Sequence, residues 1–150
     1  MSDSILFLHN LLRWVVLALG LFTLFRSATG LLANGGWLAN DERARKFFPM
    51  SLEIAFVVGL LLWAFFSPIT QQGFQAPAAA MKDPTIRFFF VEHGLSALLA
   101  VGLARVGSIR AKRLKNARAK FQSMLVFHGL ALVVLGARIP WDRPFIHLPG

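Results

Sequence analysis

Four apolar stretches dominate this 150-residue chain, at residues 5–32, 48–66, 86–106 and 119–139. Each lies near the roughly 20 residues a helix needs to cross the hydrocarbon core of a bilayer. Pro49 opens the second stretch, Ser67-Pro68 closes it, Pro84 precedes the third and Pro140 ends the fourth. Prolines are thus expected at helix edges, because one in a helix interior costs about 3 kcal/mol. Lipid admits helices or a closed barrel, and these continuous runs lack the alternation of barrel strands. The pattern predicts a single-domain, all-α bundle of four transmembrane helices. The first stretch has no basic lead-in and is interrupted by His9, Arg13 and Arg26, so it reads as a retained helix rather than a cleaved signal peptide.

Composition agrees. Hydrophobic residues make up 56% of the chain and charged residues only 15%, with 15 phenylalanines and four tryptophans. That weighs against an aqueous globular fold and against a disordered chain. Without cysteine there is no disulfide framework, zinc ribbon or thiol catalysis.

The net charge of +9 is concentrated where topology would put it. Arg43, Arg45 and Lys46 lie between the first two stretches. Arg105, Arg110, Lys112, Arg113, Lys115, Arg118 and Lys120 lie around the connection between the last two, with no acid among them. The opposite side carries Lys82, Arg87, Arg138 and Arg143. Ten basic residues against four place the basic loops in the cytoplasm and both termini on the periplasmic side of a bacterial inner membrane. The basic run is therefore assigned to anionic lipid headgroups, and nucleic acid is not expected as a partner. Arg26 is expected to snorkel toward the same headgroups. Trp37, Trp63 and Trp141 fall near helix ends, as an aromatic belt requires. The outer connection from Pro68 to Thr85, rich in Gln, Ala and Pro, is placed to cover one end of the bundle.

Ionisable groups inside spanning helices are costly and usually functional. Here they are His9 and Arg13 in the first helix, Glu53 in the second, Glu92 and His93 in the third, and His128 in the fourth. At about 1.5 Å of rise per residue, His9, Arg13, Glu92 and His93 form an outer layer, and Glu53 and His128 an inner one. On helix one, His9, Arg13, Val16, Gly20, Thr23, Ser27 and Gly30 share a face. On helix three, His93, Ala97, Ala100 and Ala104 do, with Ser96, Ala100, Ala104 and Ser108 repeating at every fourth position. Small residues at that spacing let helices approach closely in lipid. Both histidine faces should point inward.

Three readings follow. In the first, His9 and His93 are axial ligands of a b-type haem, with Arg13 and Arg87 at the propionates, and the protein passes electrons within the membrane, to or from quinone. His93 with His128 is the second choice of ligand pair, at an expected depth difference of roughly 6 Å. In the second reading, Arg13 pairs with Glu92, the histidines bond across helices, and the chain is a cofactor-free accessory or scaffold subunit of a larger respiratory or photosynthetic complex, or a homo-oligomer. In the third, the two layers relay protons or ions, with Glu53 and His128 inside. Phe88-Phe89-Phe90 is read as packing rather than a cofactor box, and His147 as a solvated tail residue. No nucleophile–base pair or phosphate loop supports soluble-enzyme chemistry.

The residues also carry a resemblance. Leu8-His9, Leu12-Arg13-Trp14, Ala80-Met81-Lys82-Asp83, Arg87-Phe88, Val91-Glu92-His93 and Ile139-Pro140-Trp141 make the chain similar to small bacterial four-helix membrane proteins labelled cytochrome b-like. The resemblance covers most of the chain and implies a haem-linked role. Its distinctive positions are His9, Arg13, Arg87, Glu92 and His93. His128 lies outside the pattern.

Overall fold

The computed structural model describes residues 2–141, so Arg143 and His147 lie outside it. Helix α1 spans Ser2–Leu32 and α2 spans Ala39–Leu61, extended by a π-helical turn over Leu62–Phe66. Three short helices follow, α3 (Pro68–Gln75), α4 (Pro77–Ala80) and α5 (Pro84–Arg87). A second π turn, Phe88–Glu92, leads into α6 (His93–Arg113), and α7 runs over Ala117–Arg138. No strand occurs among the described residues. The helical runs Asp3–Leu32, Ala39–Phe66, Pro84–Arg113 and Ala117–Arg138 are each long and apolar enough to cross a membrane. Helix α1 packs on α2 and α7, and α6 on the same two, so α1 and α6 face each other across the diagonal.

The outward surface is apolar, with Leu21, Phe25, Phe65 and Val133 all more than 60% exposed, which suits contact with lipid. Inside, the small-residue stripes do what their spacing implies. Ala100, Ala104, Gly107, Ser108 and Ala111 form the buried face of α6, and Val16, Gly20, Thr23 and Ser27 that of α1. Phe48, Leu52, Ala55 and Ala131 complete the core between them.

The helix boundaries correct the sequence expectation at the basic end. Helix α2 starts at Ala39 rather than near residue 48, and α6 runs to Arg113 rather than 106. Helix α1, at 31 residues, is about 46 Å long against a hydrocarbon core of about 30 Å. The bundle thus continues past the apolar stretches as helices bearing charged groups. Asp41 and Glu42 in the first turn of α2 favour that early start, since a helix N-terminus attracts negative charge. Helix α1 stops in a Schellman arrangement: Gly35 N–H donates to the Gly30 carbonyl (3.0 Å) and Asn34, at φ 47°, donates to Leu31 (3.4 Å).

Pro49 is consequently inside α2, not at its edge. Its missing N–H would leave the carbonyl of Arg45, four residues earlier, without an intrahelical donor. Ser108 of α6 fills the gap: its Oγ donates to the Arg45 carbonyl at 2.9 Å. The buried Arg45 side chain returns the contact, donating from Nη1 to the Ser108 carbonyl (3.2 Å) and Oγ (3.0 Å), while Glu42 accepts from Nε and Nη2. Ser108→Ala should therefore cost about 1–3 kcal/mol, the penalty for a buried unsatisfied acceptor, read as a lowered unfolding midpoint in detergent. Ser4→Ala, at an exposed position, should stay within about 0.5 kcal/mol.

Arg26 also departs from expectation. It does not snorkel but binds Asp41, Nε to Oδ1 at 2.8 Å and Nη2 to Oδ2 at 3.2 Å. Asp41 is 2% exposed and its Oδ2 additionally accepts the Leu38 N–H (2.8 Å), which caps α2. A second tie closes this end, where Arg118 donates to Asn34 Oδ1 (2.9 Å) and the Trp37 ring lies 5.0 Å from Phe121.

Candidate functional site

The ends of the four long helices opposite the basic loops carry His9, Arg13, Arg87, Glu92, His93 and Arg138, and the two π turns lie at this end. A π turn inserts one extra residue and takes backbone groups out of the i−4 ladder, a distortion frequent at functional sites. Several carbonyls of these turns accept from side chains. Trp63 Nε1 donates to the Phe90 carbonyl (2.8 Å), Thr70 Oγ1 to Trp63 (2.7 Å) and Gln71 Nε2 to Ala64 (2.8 Å). Trp63, Phe74 and Phe90 form an aromatic cluster with ring centres 4.8–6.1 Å apart. Gly73 is required beneath it, because a Cβ there would come within 2.6 Å of the Phe90 ring. The outer connection therefore folds down as α3 and fastens both π turns. Trp63, expected near a helix end, supplies the bond that joins the two turns.

Within that frame the His9 and His93 rings lie 6.4 Å apart, centre to centre, at 79° to one another. They come from the diagonal pair α1 and α6. His93 Nδ1–H donates to the Arg138 carbonyl (3.0 Å), which leaves Nε2 as the basic nitrogen. The His9 ring rests against α2 at Gly59, where an added Cβ would meet Cε1 at 3.1 Å. The Ala55 carbonyl is within hydrogen-bonding reach of that ring, and Nδ1 is buried with no partner. Phe88 and Phe89 pack beside His93, with ring centres at 5.7 and 6.2 Å. The packing role expected for the Phe88–Phe90 run holds, and part of that packing is against the imidazole.

The charged groups pair differently from expectation. Glu92 does not take Arg13 as its partner. Its Oε1 accepts from Arg87 Nε (2.8 Å) and its Oε2 from Arg138 Nη1 (2.9 Å). Arg87 also donates to the Met81 carbonyl at 3.2 Å. Arg13 lies over the Trp14 ring, 5.4 Å from its centre. The π turn accounts for the difference, since it shifts the register of α6 and puts Glu92 over Arg87, five residues back. Arg138 is the residue that sequence reasoning passed over, and it contributes twice, by side chain to Glu92 and by carbonyl to His93. Its position in the last turn of α7, just before Ile139-Pro140-Trp141, was the available signal.

The inner layer separates into two unrelated pairs. His128 is fully buried, with Nε2–H on the Ala104 carbonyl (3.0 Å) and the Phe48 ring centre 4.9 Å away. Ala104 lies eleven residues below His93 on α6, about 16 Å, well beyond the depth difference expected for a shared ligand pair. Glu53 binds Arg105 through both carboxylate oxygens on the partly exposed outer face of α2 and α6. A relay through Glu53 and His128 loses its geometry, because the carboxylate is committed to Arg105 while the imidazole is bonded inside the bundle.

Comparison of the chain with family models, curated proteins and solved structures returns no match.

Two imidazoles that ligate one metal ion from opposite sides, at about 2.0 Å per metal–nitrogen bond, hold their ring centres about 6–6.5 Å apart. The His9–His93 spacing meets that requirement. The Arg138 carbonyl on His93 Nδ1 fixes the tautomer that a ligating imidazole would need, and His9 Nδ1 is buried without a hydrogen-bond partner among the described residues. No group of three or more His, Cys, Asp or Glu residues able to hold a metal occurs among the described residues. The imidazoles of His9 and His93 could hold a metal-centred group such as a haem between them.

Proposed function

We infer that the chain is a small b-type cytochrome-like protein that carries electrons within the membrane, with His9 and His93 as axial ligands. The 6.4 Å, near-perpendicular arrangement of these two rings across the bundle diagonal carries the reading. Haem, when bound, supplies a one-electron couple whose potential depends on axial ligands, hydrogen bonding and burial. The protein's own part is to orient the ligands. The Arg138 carbonyl sets the His93 tautomer, the Gly59 notch seats His9, and the Arg87–Glu92–Arg138 cluster fixes the start of α6. Arg13 is the cation for a propionate, while Arg87 serves by holding Glu92. By the positive-inside rule the basic end faces the cytoplasm of a bacterial inner membrane. A single cysteine introduced at Lys115 into this cysteine-free chain should then resist impermeant thiol reagents in intact spheroplasts.

The test is the absorption spectrum of detergent-purified protein, oxidised and then dithionite-reduced. A Soret band that shifts on reduction, with sharp α and β bands, supports the reading. A colourless protein from cells supplied with haem precursor overturns it. A second reading, a cofactor-free subunit of a larger complex, draws on the Glu53–Arg105 pair, whose side chains are 35% and 46% exposed on a face otherwise turned to lipid. Ionised groups in such a position are costly unless covered. Stoichiometric co-purification of a partner with colourless protein would favour it.

A further inference from the structure

Glu53 and Arg105 pair across the lipid-facing seam between α2 and α6, with Arg105 Nε donating to Oε1 at 2.6 Å and Nη2 donating to both carboxylate oxygens. Both side chains remain partly exposed. Glu53 stands five residues into the second apolar stretch, about 8 Å from its basic end. The surface around the pair is apolar, since Met50, Ile54 and Val57 of α2 and Leu98 and Ile109 of α6 are all exposed. A hollow of about 270 Å³ runs along α2 beside the carboxylate, lined by Met50, Glu53, Ile54, Val57 and Val58. On α6, Gly102 is exposed three residues from Arg105, at the level of that hollow, and a Cβ built there meets no atom within 4 Å. A glycine so placed does no packing in its own chain but lets the backbone of another helix approach closely.

Charge and depth together decide what covers this face. An acyl chain would fill the hollow but leave both ionised groups facing hydrocarbon, which is costly. A protein cover must bring a cation to Glu53 and an anion to Arg105, both at the depth of the pair. A second copy of the chain meets that requirement without further conditions, because every copy inserts with the same topology. A two-fold axis along the membrane normal sets α2 of one copy against α6 of the other, so that each Glu53 faces the other copy's Arg105 at equal depth by symmetry. The hollow on each α2 then faces the flat surface at Gly102 on the opposite α6. We propose that the α2/α6 face is a homodimer interface in which two Glu53–Arg105 pairs close into one network of four charges. The proposal gives this pair to a second copy rather than to a foreign subunit. It uses none of the residues placed at the haem and does not rest on that reading.

The test expresses two differently tagged forms of the full chain together and scores how much of one is captured through the other in mild detergent. Wild-type forms are expected to capture each other. The doubly exchanged variant Glu53→Arg/Arg105→Glu keeps an ion pair within its own chain and should capture itself. Capture between it and wild type should fall at least tenfold, because each group then faces its like across the axis. Gly102→Leu, whose Cβ touches nothing in its own chain, should lower self-capture at least tenfold. The chain has no cysteine, so Gly102→Cys should give a disulfide-linked dimer in oxidised membranes. Val133→Cys, on α7 and 69% exposed, should not. Equal capture between wild type and the exchanged variant would overturn the proposal, and so would cross-linking at Val133 but not at Gly102. A wild-type monomer without a protein partner would overturn it in favour of lipid alone. A monomer carrying a stoichiometric foreign protein that Gly102→Leu releases would overturn it in favour of another subunit. None of these readouts needs a chromophore. A colourless dimer keeps the interface and removes the haem reading, and a coloured monomer does the reverse.

Discussion

On the haem reading, His9→Ala and His93→Ala are each expected to abolish the reduced b-type spectrum and to lower retained haem more than tenfold, while the protein still purifies as a folded helical bundle. Each substitution removes one of the two imidazoles at the 6.4 Å spacing, and among the described residues the other histidine, His128, is bonded elsewhere in the bundle. His128 is the control. It is fully buried and bonded to Ala104, so His128→Ala should leave the spectrum unchanged. Its effect should fall on stability instead, by about 2 kcal/mol or more from the lost interhelical bond and the cavity left against Phe48. Visible spectra and thermal unfolding of the three variants separate ligand loss from a merely structural contact. If His9→Ala and His93→Ala keep a normal spectrum and His128→Ala loses it, the ligand assignment is wrong.

Asp41→Ala should be the most damaging single change at the other end, lowering stability by about 3 kcal/mol. It strips Arg26 of both carboxylate contacts, one side of the pair being 2% exposed, and it uncaps the Leu38 N–H at the start of α2. The partial exposure of Arg26, 27%, keeps the cost at the lower end of the range for a broken buried pair. Asp41→Asn should recover part of the loss, because its amide oxygen can still accept the capping N–H. Unfolding midpoints in detergent check both, and equal midpoints for wild type and Asp41→Ala would show that the pair contributes nothing to the bundle.

The sequence made the four helices legible because lipid imposes a length and an unbroken apolar run that few other folds share. It also made the inward faces legible: His9, Val16, Gly20, Thr23 and Ser27 follow one phase, and Ala100, Ala104 and Ser108 another. What it concealed was anything set by a partner far along the chain. Pro49 reads as a helix start until Ser108, 59 residues later, is seen to supply a donor to the Arg45 carbonyl. Arg26 reads as a snorkelling cation until Asp41 is found beside it. The Arg13–Glu92 pairing looked natural on a regular helix and fails because five residues of π geometry, Phe88–Glu92, change the register. Neither π turn has a pattern that periodicity can detect, since their extra residue is stabilised by Trp63, Thr70 and Gln71 from other segments.

The reciprocal bonds between Arg45 and Ser108 fasten α2 to α6 near the basic end. Mechanically, that junction is a fulcrum. His93 stands fifteen residues away along α6, a lever arm of about 22 Å. A rotation of only about 3° at the fulcrum therefore moves the imidazole by about 1 Å, half the length of a metal–nitrogen bond. A hydroxyl at Ser108, fifteen residues from His93, would in this way bear on how closely His9 and His93 approach.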